Sequence, residues 1–167
     1  MEFSIRRVKE EDAGSIVDLL NPIIQAGMYT ILDEPISVDD QIGFIRGFPE
    51  RGVYLAALGN GSQNVLGIQD VVPISTAVNE LQHVGEISTF VRLASRRNGI
   101  GRSLSQATFR AAKAQGFLKI RATVRADNAP AIAFYRSQGF EVIRTAQKHA
   151  LVGGKYLDEI LTERFID

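Results

Sequence analysis

A run of basic and glycine residues at 96–101, Arg-Arg-Asn-Gly-Ile-Gly, lies between a strand-like stretch at 83–93 and a strong helical pattern at 100–115. The first N–H groups of a helix have no intrahelical partner, and the helix dipole places partial positive charge there. Glycine lets the backbone approach an anion closely, and arginine can donate two parallel hydrogen bonds to a phosphate. The residues predicted to bind a phosphate group are Arg96, Arg97, Asn98, Gly99, Gly101, Arg102 and Ser103.

Two common phosphate loops do not fit this segment. A dinucleotide loop, G-x-G-x-x-G, requires a third glycine where Leu104 stands, and a Walker A loop requires a Lys-Ser or Lys-Thr pair that is absent here. The pattern that remains is [RQ]-x-x-G-x-[GA], formed by Arg96, Gly99 and Gly101.

A second segment, residues 127–140 (DNAPAIAFYRSQGF), has the features of a short capped helix. Asp127 or Asn128 is expected to supply the N-cap, Pro130 lies in the first turn where its missing N–H is tolerated, and Gly139 is expected to end the helix. The same residues also fit the pattern N-x-x-A-x-x-[FL]-Y-x-x-x-G-[FY].

Together the two patterns resemble the GNAT superfamily of N-acetyltransferases, and most of all its phosphinothricin-type and amino-acid N-acetyltransferase branch. The resemblance covers nearly the whole chain, because the order of elements outside the two motifs fits as well. It implies that the first motif binds the pyrophosphate of acetyl-CoA as a co-substrate. It also implies a single acetyltransferase domain over residues 1–167 and a possible homodimer.

Composition bounds the other options. A chain of 167 residues is long enough for a substantial core, and its 19 Lys and Arg balance its 19 Asp and Glu, so no overall basic field favours nucleic acid. The absence of cysteine excludes disulfides and thiolate ligands, and the two histidines have no ligand-spaced neighbours, so no metal is expected. Because no apolar run approaches membrane-spanning length, we expect a cytoplasmic protein without a membrane partner.

Hydrophobic periodicity predicts an α/β fold with a mixed sheet and about four helices. Strands are expected at 3–9, 53–58, 65–72, 83–93, 118–125, 140–149 and 156–165. Helices are expected after Asp12, after Ser37, at 100–115 and at 129–138, and Pro22 is expected to kink or divide the first. In the resembled family the sheet is mostly antiparallel and splays between its fourth and fifth strands, and the pantetheine arm of the cofactor lies in that cleft.

Acetyl transfer to an amine needs a group that takes the amine proton, a fixed donor for the thioester oxygen, and an acid for the departing thiolate. Glu86 is the candidate base, because residues 86–91 (EISTFV) resemble the E-S-T-x-Y-V stretch of the phosphinothricin-type enzymes. A strand glutamate in an ordinary salt bridge is the alternative. Tyr135 is the candidate acid from its place in the second motif, with a packed core tyrosine as the alternative.

The resemblance gives three further residues a role with the cofactor. Phe90 and Val91 are expected to offer backbone groups, through a bulge, to the thioester carbonyl and the pantetheine amides. Asn128 is expected to cap its helix and to contact the pantetheine region. Arg97 and Arg102 could equally be solvated surface charges.

The loop at 28–35 (MYTILDEP) resembles the T-x-T-F-D-x-E-P stretch of the phosphinothricin-type enzymes. Tyr29 and Thr30 are expected to contact the acceptor, or else to pack the loop. We therefore expect the chain to transfer an acetyl group to the primary amine of a small molecule, an amino acid or an analogue, by direct attack in a ternary complex. A protein N-terminal acetyltransferase of the ribosomal-protein type and a non-catalytic CoA-binding module are the alternatives.

Overall fold

The structure is a computed structural model that describes residues 2–166. These residues form seven strands, which are β1 Phe3–Arg7, β2 Val53–Gly59, β3 Val65–Pro73, β4 Val84–Val91, β5 Lys119–Arg125, β6 Glu141–Val152 and β7 Lys155–Phe165. They also form four α-helices, α1 Ala13–Gln25, α2 Val38–Arg46, α3 Ile100–Ala114 and α4 Ala129–Ser137. The predicted α/β class and the number of helices are confirmed.

The strands form one mixed sheet in the order β1-β2-β3-β4-β5-β7-β6. Neighbouring strands are antiparallel except for β4 and β5, which are parallel. The parallel pair is in register only from Val84–Glu86 on β4 and Lys119–Arg121 on β5. Beyond that point β4 and β5 no longer pair with each other, although β4 still pairs with β3 and β5 with β7, so the sheet opens between its fourth and fifth strands, as predicted.

The two faces of the sheet carry separate cores. On one face, the buried side of α1, with Ile16 and Ile23, packs near Tyr54 and Ile68 of the sheet. On the other face, α3 and α4 cover a cluster around Phe117 and Tyr135. A Cβ at Gly67 of β3 would lie 2.9 Å from Ile100 Cγ2, so this glycine lets α3 approach the sheet closely.

Local signals predicted several helix ends correctly. Ser37 and Asp40 form a reciprocal capping box at the start of α2, and the Asn128 side chain accepts a hydrogen bond from Ala131 N at the start of α4. Gly139 follows α4 with a φ of +84°, and Gly153 begins the turn between β6 and β7.

Two details of the prediction were wrong. Asp12 precedes α1 but makes no capping hydrogen bond to it; its carboxylate accepts instead from Arg6 and from Lys9 N, because a short 3-10 turn at Glu10–Asp12 places it there. Strand β6 extends past residue 149 to Val152, because a bulge near Lys148 lets its pairing with β7 resume. Of the two outcomes predicted for Pro22, division of the helix is not seen, since α1 runs from Ala13 to Gln25 with Pro22 inside it.

Candidate active site

The opening between β4 and β5 leads into a cleft of about 770 Å³. Strands β3, β4 and β5 form one wall of the cleft, and the α1–α2 loop and α2 form another. Six of the predicted site residues line this cleft, namely Tyr29, Thr30, Glu86, Phe90, Asn128 and Tyr135. Val91 and residues 96–103 lie outside its lining, so the predicted phosphate loop is a separate part of the surface.

Glu86 lies at the last paired position of the parallel strands, opposite Arg121. Its Oε2 accepts a hydrogen bond from Arg121 Nε at 3.0 Å, and its Oε1 accepts one from the Thr123 hydroxyl at 2.8 Å. The carboxylate is therefore held by two side chains of β5 at the point where the cleft begins. Each oxygen keeps a further lone pair with which it can accept a proton.

A second carboxylate, Asp70 on β3, also lines the cleft. Its residue is only 8% exposed, and burial raises the pKa of Asp70 to about 7. A carboxyl group in this range is a functional-site candidate, because it can gain and lose a proton near neutral pH. Asp70 was not among the residues predicted from the sequence.

Tyr135 of α4 reaches the cleft from the opposite side of the sheet. Its hydroxyl donates to Thr89 Oγ1 at 3.0 Å, and Gln69 Nε2 donates to the same oxygen at 2.9 Å. Burial is the main cause that raises the pKa of Tyr135; the charges of Asp70 and Glu86 add to the rise, whereas the Thr89 hydrogen bond lowers it. The phenol thus stays protonated at neutral pH and can serve as a proton donor.

Phe90 and Val91 direct their backbone groups to opposite edges of β4. Arg92 N donates to Leu66 O, and alternation along an antiparallel pair then directs the N–H of Phe90 toward β3 as well. By the same alternation, Val91 presents its backbone groups to the opening beside β5. The expected bulge is not found, because β4 stays in unbroken register with β3 from Gly85 to Val91. Unpaired groups arise instead because β5 diverges.

The N-terminus of α3 has free backbone donors. Ser103 N makes the first helical hydrogen bond, to Gly99 O, and within residues 2–166 no acceptor receives the N–H of Ile100, Gly101 or Arg102. Gly99 has a φ of +78°, a left-handed conformation that favours glycine. A Cβ at Gly101 would lie 3.0 Å from the Phe134 ring, so this glycine lets α3 and α4 meet. The geometry suits an anion.

The side chains of the loop differ in their availability. Arg96 Nε donates to Val91 O at 3.3 Å, and its guanidinium lies 4.1 Å from the centre of the Tyr29 ring. Asn98 Nδ2 donates to Ser95 O and so braces the turn. Arg97 and Arg102 are exposed and form no ion pair or side-chain hydrogen bond within residues 2–166, which leaves both free to meet an anion.

The α1–α2 loop is fixed to the cleft by two side chains. Arg125 Nη1 donates to Gly27 O at 2.9 Å and to Thr30 O at 3.1 Å, while its other nitrogens pair with Asp127. Asn128 caps α4 with its Oδ1 and donates from Nδ2 to Tyr29 O at 3.2 Å. The loop is therefore a fixed wall of the cleft. Arg125 had no role in the sequence prediction.

A third carboxylate, Glu159 of β7, lines the far side of the cleft and is 5% exposed. Its Oε2 lies 2.8 Å from His149 Nδ1. Within residues 2–166, no group of three or more His, Asp or Glu side chains is arranged to hold a metal ion. In the same range, no helix is long and apolar enough to cross a membrane.

Comparison with known proteins agrees with this fold and places the chain in a class of α/β acyltransferases. The family model of the GNAT acetyltransferase domain matches residues 5–161. The chain therefore belongs to the GNAT acetyltransferase family.

Individual relatives are more distant. A protein of Bacillus subtilis (strain 168) with the provisional name phosphinothricin acetyltransferase is 25% identical over 139 residues, which are 83% of each chain. The L-amino acid N-acetyltransferase of Escherichia coli (strain K12) is 50% identical over 40 residues, 24% of this chain and 25% of that one. An acetyltransferase structure from Salmonella typhimurium with acetyl-CoA superposes with a TM-score of 0.89 at 20% identity, over 100% of this chain and 95% of that one. This last likeness concerns the fold.

Proposed function

We propose that the protein transfers an acetyl group from acetyl-CoA to the primary amine of a small molecule, an amino acid or an analogue, by direct attack in a ternary complex. One observation carries the proposal. The opening between β4 and β5 has free helix-terminal N–H groups outside one end, and a carboxylate and a buried phenol inside it. Direct transfer needs a site for each substrate, because both must be bound at the same time. It also needs a proton acceptor and a proton donor where the two substrates meet.

The donor half is proposed to bind acetyl-CoA. The free N–H groups at the start of α3, with the exposed Arg97 and Arg102, suit its pyrophosphate. The backbone N–H of Val91 faces the opening and suits a pantetheine carbonyl or the thioester oxygen, which would bind there as an added strand does; the carbonyl of Val91 already accepts from Arg96 Nε. Asn128 uses its Oδ1 to cap α4 and one Nδ2 hydrogen to bind Tyr29 O, so its second Nδ2 hydrogen is available for a contact with the cofactor.

The chemistry divides among three sites. Glu86 takes a proton from the acceptor nitrogen, whose lone pair then attacks the thioester carbon. A backbone N–H of the opened strand stabilises the charge that develops on the thioester oxygen. Tyr135 gives its proton to the departing thiolate, and the hydrogen bond to Thr89 holds the phenol in position beforehand.

The fixed α1–α2 loop supports a small acceptor over a peptide. A protein N-terminal acetyltransferase needs an open groove. Here Arg125 and Asn128 hold the loop across the part of the cleft proposed to bind the acceptor. This acceptor half is lined by Tyr29, Thr30, Asp70 and Glu86. A non-catalytic CoA-binding module is disfavoured because it would need neither the carboxyl group of Glu86 nor a buried phenol beside the opening.

A second acceptor class, diamines and polyamines, is favoured by the charges of the cleft. Its lining includes four carboxylates, from Asp40, Asp70, Glu86 and Glu159. Among the lining residues the one cation is Arg125, whose donors are taken up by Asp127 and by loop carbonyls. A cationic acceptor without a carboxylate would complement this surface.

The test is a thiol-release assay with acetyl-CoA and a panel of amino acids, diamines, polyamines and short peptides. We expect acetyl-CoA to raise the melting temperature and at least one small amine to release thiol. Preference for a peptide would favour the N-terminal acetyltransferase. If no amine of the panel released thiol, the proposed transfer would be refuted. If saturating acetyl-CoA also gave no thermal shift, the proposal that acetyl-CoA is the donor would be refuted as well.

We also propose, from the family resemblance, that the protein acts in the cytoplasm and forms a homodimer. Large apolar side chains on β6 and β7 are exposed, as a partner surface would require; they are Val142, Ile143, Leu151, Tyr156 and Phe165. Sedimentation velocity at micromolar concentration tests the homodimer.

A further inference from the structure

Asp70 is a buried carboxylate to which the mechanism above gives no role. Within residues 2–166 it forms no ion pair and no side-chain hydrogen bond, yet its residue is 8% exposed and lines the cleft. Burying an ionised carboxylate without a partner is costly. A partner supplied by a ligand would remove this cost, and the wall on which Asp70 lies is the acceptor half of the cleft.

The register of the sheet places Asp70 next to Glu86. Asp70 pairs with Ser88 of β4, and Glu86 lies two residues before Ser88, on the same face. Diagonal neighbours of this kind have Cα atoms about 7–8 Å apart. The two carboxylates can therefore face one small ligand group from adjacent strands. Because Glu86 is held by Arg121 and Thr123, Asp70 is the one of the two that lacks a protein partner.

We propose that Asp70 is a second catalytic carboxylate, which pairs with the ammonium group of the acceptor and takes one of the two protons that its nitrogen loses. The inference rests on the proposed amine acetylation. It deepens that function, because it assigns the recognition of the cationic amine to a residue outside both sequence motifs.

The proton balance calls for two acceptors. An ammonium group, R-NH3+, must lose one proton before its lone pair can attack and a second one to become the amide, R-NH-CO-CH3. Glu86 takes one and Asp70 the other, and in each case the electron pair of the N–H bond stays on nitrogen. The C–N bond forms, the C–S bond breaks, and the proton of Tyr135 goes to sulfur. One protonated carboxyl returns a proton to the phenolate, and the other proton leaves to solvent.

The surroundings of Asp70 suit this role. The titratable and charged groups that face the cleft around it are Tyr29 from the α1–α2 loop, Tyr54 from β2, Asp40 from α2, Glu86 from β4, Arg125 from β5, Glu159 from β7 and Tyr135 from α4. No cation among them is free to neutralise Asp70, and burial raises its pKa to about 7. A base in this range is matched to neutral pH: it is ionised often enough to accept a proton and can release that proton again.

The test compares three variants by thiol release with the most active amine of the panel, at pH 5.5 to 9. We expect Asp70→Asn to bind acetyl-CoA with unchanged affinity and to lose roughly 10²- to 10⁴-fold in kcat/KM. The wild-type profile should rise with an apparent pKa near 7, and Asp70→Asn should lack this rise, whereas Glu86→Gln should retain it. Asp18→Asn, which removes an exposed carboxylate from α1, is the control and should match the wild type.

The outcomes separate this inference from the function on which it rests. A folded Asp70→Asn variant with wild-type kcat/KM and an unchanged pH profile would overturn the role of Asp70 and leave the acetyltransferase intact. An inactive wild type would overturn both. Should Asp70→Asn fail to fold, carbon-13 NMR of labelled aspartates in the wild type decides: one carboxyl should titrate near pH 7, and the panel amine should shift its titration to lower pH. An unshifted titration would overturn the inference.

Discussion

The stability of an Asp70→Asn variant, measured relative to the wild type, should increase as the pH rises. Burial raises the pKa of Asp70 from an ordinary value of 3.8 to about 7. The folded state therefore binds a proton on this group between about pH 4 and pH 7, where the unfolded state does not. Stability falls with increasing pH wherever the folded state binds more protons, so this group costs stability progressively through that window and fully above pH 7.

The magnitude follows from the size of the shift. A difference of about three pKa units corresponds to at most roughly 4 kcal/mol, since one unit is worth about 1.4 kcal/mol. At pH 5 less than half of this cost has developed. The stability of Asp70→Asn relative to the wild type should therefore grow by roughly 2–3 kcal/mol between pH 5 and pH 8. For a chain of this size that is about 5–10 °C in melting temperature.

Urea unfolding at pH 5, 6, 7 and 8 measures the effect as a difference between the two proteins, in which most other titrations cancel. Asp12→Asn is the control. Burial alone would raise the pKa of Asp12, but the hydrogen bonds from Arg6 and from Lys9 N lower it overall from its ordinary value of 3.8. Its contribution to stability is therefore lost only as the pH falls below about 4, and the difference between Asp12→Asn and the wild type should stay constant from pH 5 to pH 8. If the difference between Asp70→Asn and the wild type stayed constant within about 0.5 kcal/mol from pH 5 to pH 8, the assignment of a near-neutral pKa to Asp70 would be wrong.

Three further substitutions test the donor and the proton transfers. Gly99→Val should abolish the acetyl-CoA thermal shift, because the left-handed turn that frees the α3 N–H groups would be strained; Gly61→Val, at a similar φ of +68° in another turn, is the control and should retain the shift. Glu86→Gln should keep acetyl-CoA affinity and lose roughly 10²- to 10⁴-fold in kcat/KM, whereas Glu163→Gln, which breaks an ion pair with Lys119, should not; equal kcat/KM would rule Glu86 out as base. Tyr135→Phe should lower kcat with acetyl-CoA affinity intact, and unchanged turnover would assign Tyr135 to packing alone.

The fold could be predicted well where local chemistry determines it. Ser37 and Asp40 form a capping box through contacts within four residues, and Gly139 ends its helix through its own backbone preference. Asp12 shows the limit of such signals. Its type suits an N-cap, but Arg6 on β1 lies close enough to take both carboxylate oxygens, and a contact between elements replaces the local one.

The free N–H groups at the start of α3 could also be predicted, because one strand, loop and helix in sequence build this turn. Gly99, Gly101 and the free N–H groups of α3 lie within a few residues of one another, so their spacing alone describes the geometry. The arginines of the same loop could not be sorted in this way. Arg96 lies over the ring of Tyr29, which is 67 positions earlier in the chain, and only the folded structure distinguishes it from Arg97 and Arg102.

The acceptor half could not be predicted from spacing, because it is assembled from distant segments. In β3, Asp70 lies on the same strand face as Ile68 and Val72, two residues away on either side. Such a pattern indicates only a strand face that is mostly apolar. An acidic residue on an apolar strand face was nevertheless a visible signal, since it is expected either to find a cation or to reach an opening. The choice between the two depends on the sheet order. Because β5 leaves β4 just after Glu86, the neighbouring face of β3 becomes the floor of a cleft, and Asp70 becomes available to a ligand.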